Sequence, residues 1–146
     1  MHKLLIRTAV AGVATAALLS LAPAAFAQAV MYKADLTGAA EVPPITAKGT
    51  GTLTATYDPA SKKLSYTVNY KDLSGPATAA HFHGPAAGAN AGVVVPAAAP
   101  LTSPIKGEAT LTDAQAADLA AGRWYFNVHT AANPPGEIRG QVMKGM

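Results

Sequence analysis

Polar and apolar residues alternate one for one through much of this chain. In Leu64-Ser65-Tyr66-Thr67-Val68-Asn69-Tyr70-Lys71 the alternation is strict, the pattern of a strand with one buried and one wet face. Thr50 to Tyr57 repeats it, with Thr50, Thr52, Thr54 and Thr56 on one face and Leu53 and Tyr57 on the other. Asp58-Pro59-Ala60-Ser61-Lys62 between these runs is turn chemistry and predicts a hairpin. A further strand is expected over Val30 to Thr37, closed by Gly38. Five more are expected over Ala77 to His83, Gly92 to Val95, Ile105 to Leu111, Arg123 to His129 and Glu137 to Met143. Short strands punctuated by Gly and Pro predict an all-β fold, an antiparallel sandwich or small barrel of about eight strands.

One segment breaks the period. Thr112-Asp113-Ala114-Gln115 is a capping box, Ala114 to Ala121 are good helix formers, and Gly122 suits a left-handed stop. A short helix is expected there, with Leu119 sealing one end of the sandwich. Three linking segments carry little periodicity: Ala39 to Lys48, Gly84 to Asn90 and Pro96 to Pro104. Tyr57, Tyr66, Tyr70, Phe82, Trp124 and Phe126 are expected in or beside the core. Glu41, a lone acid before Val42-Pro43-Pro44, reads as an anchor for its loop.

The first residues follow a different rule. Lys3 and Arg7 precede an apolar stretch from Ala9 to Leu21, and Ala25-Phe26-Ala27 ends it with small residues at alternate positions. This is the pattern of a cleavable signal peptide over residues 1–27, which predicts cleavage after Ala27 and a single domain over residues 28–146. The expected location is secreted or periplasmic. No later segment is apolar for long enough to cross a bilayer as a helix. Removing Lys3 and Arg7 also brings the formal +3 charge of the whole chain close to balance, too weak a field to suggest a nucleic-acid partner. The chain has no Cys, which excludes disulfide staples, thiolate zinc sites, iron–sulfur clusters and cysteine nucleophiles.

Beyond that segment there are three histidines, His81, His83 and His129. His81 and His83 are i and i+2 on an expected strand, so their rings share a face roughly 6–7 Å apart at the base. On the other strand Tyr125, Asn127 and His129 share a face, opposite Trp124, Phe126 and Val128. If the two strands are neighbours, all three imidazoles converge. Three neutral imidazoles suit one copper or zinc ion and leave a position for water or an outside ligand. Period two also aligns Glu137, Arg139 and Gln141. Glu137 and Arg139 are therefore either an exposed ion pair of little consequence, or support for the ligands, with Glu137 accepting an imidazole N–H and Arg139 bracing the carboxylate. Asn127 is a further supporting candidate. Other chemistries fail on inventory: there is no Gly-x-Ser-x-Gly elbow, no phosphate loop and no cluster of acids for calcium. Met143 and Met146 could offer thioethers to a soft ion, although a loose C-terminal tail is the simpler account.

Leu36-Thr37-Gly38-Ala39-Ala40-Glu41-Val42-Pro43-Pro44 resembles the opening of the CHRD (chordin-type) domain. Pro76 to Ala86, with its His81-Phe82-His83-Gly84-Pro85 centre, resembles the central block of that family. So do Leu111-Thr112 with Gln115, Leu119 and Gly122, and Trp124 to Thr130 followed by Pro135-Gly136-Glu137-Ile138-Arg139-Gly140-Gln141. The resemblance runs in order over about residues 30–143. It implies a single-domain member of a kind found among exported bacterial proteins, with the three histidines as part of the family pattern. It also implies a Greek-key layout similar to that of copper–zinc superoxide dismutases. Fold alone does not confer that activity, and a dinuclear site of that type needs more histidines than this chain offers. The expectation is a non-enzymatic exported protein with a three-histidine copper or zinc site. The alternatives are a metal-free structural or interaction module of the cell envelope with a protein partner, and a metal-dependent redox enzyme.

Overall fold

The computed structural model describes residues 28–145; the expected signal peptide lies outside them. Alternation becomes strand where it is strictest. β1 (Val30–Thr37), β2 (Thr50–Asp58) and β3 (Lys63–Lys71) form a meander of two antiparallel hairpins. The turn between β2 and β3 is held by Asp58, whose carboxylate accepts from Ala60 N–H at 2.9 Å and Ser61 Oγ at 2.6 Å. Lys62 takes the positive φ that closes the turn. The four threonines of β2 are all exposed, while Leu53, Ala55 and Tyr57 are buried.

The remaining elements are β4 (Ala77–His83), β5 (Val93–Pro96), β6 (Ile105–Thr110), α1 (Asp113–Ala120), β7 (Tyr125–Thr130), β8 (Ile138–Gln141) and β9 (Met143–Lys144). All strands are antiparallel to their neighbours, in the order β5-β4-β7-β8-β1-β2-β3-β6, with β9 also on β1. β8 and β1 share a single paired position, Thr37 with Arg139, so the sheet folds over there. The halves β5-β4-β7-β8 and β1-β2-β3-β6 thus face one another as a sandwich. The chain passes between them after β3, after β5, after β6 and after β8, a Greek-key-like path. Tyr66 of β3 meets Phe82 of β4 with ring centroids 5.0 Å apart and Phe126 of β7 at 6.3 Å. Leu36, Leu53, Leu64, Val68, Ile105, Trp124, Val128 and Ile138 complete a core fully shut from water.

The helix forms where the capping box predicts. Thr112 Oγ1 accepts from Gln115 N–H at 3.2 Å, and Gln115 Oε1 accepts from Thr112 N–H at 2.9 Å. Leu119 is its buried residue, and Gly122 ends it at φ +69. The strand expected over Glu137 to Met143 is instead two, because Val142 turns into the core and donates its N–H to Trp124 O at 2.8 Å. Met143 is exposed on β9, and Met146 lies outside the described residues.

Candidate metal centre

The two histidine-bearing strands lie side by side. β4 pairs with β7 so that His83 opposes Tyr125, His81 opposes Asn127, and Ala79 opposes His129. The pleat sends Ala80, Phe82, Phe126 and Val128 into the core and His81, His83, Tyr125, Asn127 and His129 to the other face. β8 adds Arg139 opposite Asn127 and Gln141 opposite Tyr125. That face would ordinarily be wet. Here the segment Gly84–Gly92, the turn Pro134–Gly136 and Glu41 roof it over, so that Tyr125, Asn127, His129 and Arg139 are buried beneath loops.

Three ring nitrogens, one from each histidine, lie within 4.8 Å of one another. Their tautomers follow from the partners. His83 Nδ1 is 2.9 Å from Ala91 O and His129 Nδ1 is 2.8 Å from Pro134 O. A carbonyl can only accept, so both Nδ1 atoms carry the proton and both Nε2 atoms present lone pairs. His81 Nδ1 donates to His129 Nε2 at 3.1 Å. His83 Nε2 is buried with no partner, and a buried lone pair costs free energy unless something donates to it or binds it. Burial lowers the pKa of His81, helped by the neighbouring His129 and His83. Burial also lowers that of His83, against the raising effect of its bond to Ala91 O. Both rings are thereby held in the neutral form that a metal requires.

The surroundings hold these rings still. His83 stacks flat on Tyr125, with centroids 4.7 Å apart and planes within 1°. The Arg139 guanidinium carbon sits 3.4 Å from the Tyr125 centroid, a cation–π contact. Arg139 also donates to Asn90 Oδ1 at 2.9 Å and Ala89 O at 2.5 Å, tying the roof to β8. Tyr125 Oη accepts from Ala91 N–H at 3.1 Å, and Gln141 Nε2 reaches Ala86 O, Gly122 O and Trp124 O. Asn127 Nδ2 donates to Pro135 O at 3.4 Å, while its Oδ1 is buried without a partner.

The expected supporting residues divide. Asn127 and Arg139 stand on the histidine face. Glu137 does not reach an imidazole: its carboxylate accepts from Ser74 N–H at 2.7 Å, Thr130 Oγ1 at 2.6 Å, Asn133 Nδ2 at 3.1 Å and Ser74 Oγ. Burial pushes its pKa up, but these donors outweigh it and hold the group below the ordinary range. Nor does Arg139 pair with Glu137. The charge of Arg139 is felt instead by Glu41, which burial raises to about 7 against the pull of Arg139 and the Asn127 amide. Glu41 Oε1 is a buried atom without a partner, and Gly136 leaves it room: a Cβ there would meet Glu41 Oε1 and Asn127 Nδ2.

Glu41, Tyr125 and Gln141 are the members of this layer that sequence reasoning did not assign to the site. Tyr125 was visible as a residue on the His129 face. Glu41 could be reached only through its place in the block from Leu36 to Pro44. That block, the histidine pair and the closing Trp124 to Gln141 stretch have a common explanation, because the model of the CHRD domain matches residues 32–142. The chain belongs to the CHRD family. The matched region begins within β1, ends just after β8, and contains every residue of the histidine layer, so the centre is part of the CHRD unit itself. No curated protein and no solved structure matches the chain. Among the described residues, no helix is long and apolar enough to cross a membrane.

Proposed function

We propose that this chain is an exported, non-catalytic CHRD protein that binds one copper or zinc ion through His81, His83 and His129. The observation that carries this is the convergence of three nitrogens, one of which, His83 Nε2, is left without a partner because the ring's Nδ1 is bound to a backbone carbonyl. Such carbonyl partners fix ring orientation and raise ligand basicity in metal sites. Export rests on the basic, apolar, Ala-x-Ala order of Met1 to Ala27 and places the protein in the periplasm or outside the cell. With all three ligands neutral, an ion bound here keeps its full charge.

Titration of the full chain with Cu(II) and Zn(II) tests this. Binding of one equivalent is expected, weakened about 100-fold or more by His83→Ala, on the scale usual for loss of a ligand or its support. The same bonds favour one other reading. His83 and His129 each hold a loop by a backbone carbonyl, so the histidines could serve only to fasten the roof of an interaction module. That reading predicts weak binding unchanged in His83→Ala, together with a loss of stability.

A further inference from the structure

The strand order ends in two edges, β5 and β6. Each pairs with a single neighbour, β5 with β4 and β6 with β3, so each presents a row of backbone donors and acceptors to the outside. The two edges are finished differently. β5 has four residues, its register with β4 shifts between Phe82 and His83, and it ends at Pro96. Shortness, a bulge and a proline all discourage the addition of another strand. β6 has none of these. Its six residues keep an unbroken register with β3, from Ile105 opposite Val68 to Thr110 opposite Lys63.

The side chains of β6 decide what can join it. Ile105 is buried and Gly107 and Ala109 are half-buried on one face, while Lys106, Glu108 and Thr110 are exposed on the other. Glu108 is held from β3, accepting from Lys63 Nζ and Ser65 Oγ, each at 3.2 Å. Among the described residues, Lys106 has no carboxylate within ion-pair distance. An added strand must keep buried and wet faces matched, so its register can change only in steps of two residues. For an antiparallel second copy of β6, centring the pair on Lys106 sets lysine against lysine, and centring it on Glu108 sets glutamate against glutamate. Like charges directly opposite repel. Centring on Gly107 sets Lys106 of each copy against Glu108 of the other, at two places, with Ile105 against Ala109. Gly107 then lies on the two-fold axis with no side chain in the way, and it stays bare because a Cβ there would collide with Tyr66 Oη. A uniformly acidic or basic strand would satisfy one of the two charges and oppose the other.

We propose that the β6 edge docks a second copy of this chain, the two β6 strands pairing antiparallel about Gly107 so that the β1-β2-β3-β6 halves of both copies join into one sheet. This surface belongs to the half of the sandwich that does not carry the histidines, so it stands independently of the metal reading. Sedimentation of the purified protein over about 1–200 µM tests it. A dimer is expected that weakens as salt rises, because both new ion pairs are exposed. Lys106→Glu and Glu108→Lys each turn both attractions into repulsions and should each weaken dimerisation about 10-fold or more. An equimolar mixture of the two variants should recover it, since glutamate then meets lysine at both places, and that recovery also shows that both variants fold. Val93→Lys, on the other edge, should leave dimerisation unchanged. A parent that stays monomeric over this range, a dimer indifferent to salt, charge variants that dimerise like the parent, a mixture of folded variants with no gain over its components, or a dimer lost in Val93→Lys would each overturn the β6 interface.

Discussion

Glu41 is a carboxyl held where water does not reach it. Its pKa of about 7 means that the folded chain holds this proton more tightly than the unfolded chain does. The stability it contributes is therefore fully present below the ordinary carboxyl range and is lost as pH rises through about 7. His81 and His83, lowered instead, act in the opposite sense and cost stability as pH falls below about 6.5. Comparison with Glu41→Gln isolates the first effect. Between pH 5 and 8 the metal-free parent should lose roughly 1–3 kcal/mol relative to that variant, measured by denaturant unfolding; parallel curves would show that Glu41 is not protonated on folding. Gly136 is the companion test. Its φ of +142 and the atoms crowding its Cβ position predict that Gly136→Ala costs about 2–3 kcal/mol in the same measurement. The histidines of this layer were legible because residue type and period two carry their meaning locally. Glu41 was not, since it arrives from a loop far along the chain. Glu137 misled for a geometric reason: it precedes β8, outside the pleat that aligns Arg139 and Gln141, and so turns to Ser74, Thr130 and Asn133 instead.

At the scale of elements, local chemistry was enough wherever an element is closed by its own residues. The helix needed only Thr112, Gln115 and Gly122, and Thr112→Ala should cost about 1 kcal/mol, read as a small fall in melting temperature with metal binding unchanged. The β2–β3 hairpin likewise needed only Asp58 and the alternation on either side. Boundaries drifted where a distant partner decides. Trp124 reads as strand but stands just before β7, with its ring in the core and its carbonyl shared between Val142 N–H and Gln141 Nε2. That bond to Val142 is also what divides the last expected strand into β8 and β9.

For the whole molecule, an all-β sandwich was readable from strand spacing, whereas the strand order was not. The pairings of β3 with β6, β4 with β7 and β8 with β1 join segments far apart in the chain, and period two is silent about partners. Phe82 marks where the halves meet, between Tyr66 on one side and Phe126 and Trp124 on its own. Phe82→Ala should cost about 3–5 kcal/mol and loosen His81 and His83 with it, so that thermal unfolding and metal affinity fall together. The reason lies in how β4 and β7 are built. Each spends alternate residues on the greasy interior and on the nitrogen-bearing exterior, in one shared register. Sliding one strand past the other by a single step would put imidazoles into oil and phenyl rings into the loops. The pocket therefore cannot be lost by slippage while the protein stays whole, and any copy that reaches its native state arrives with the three rings already in step.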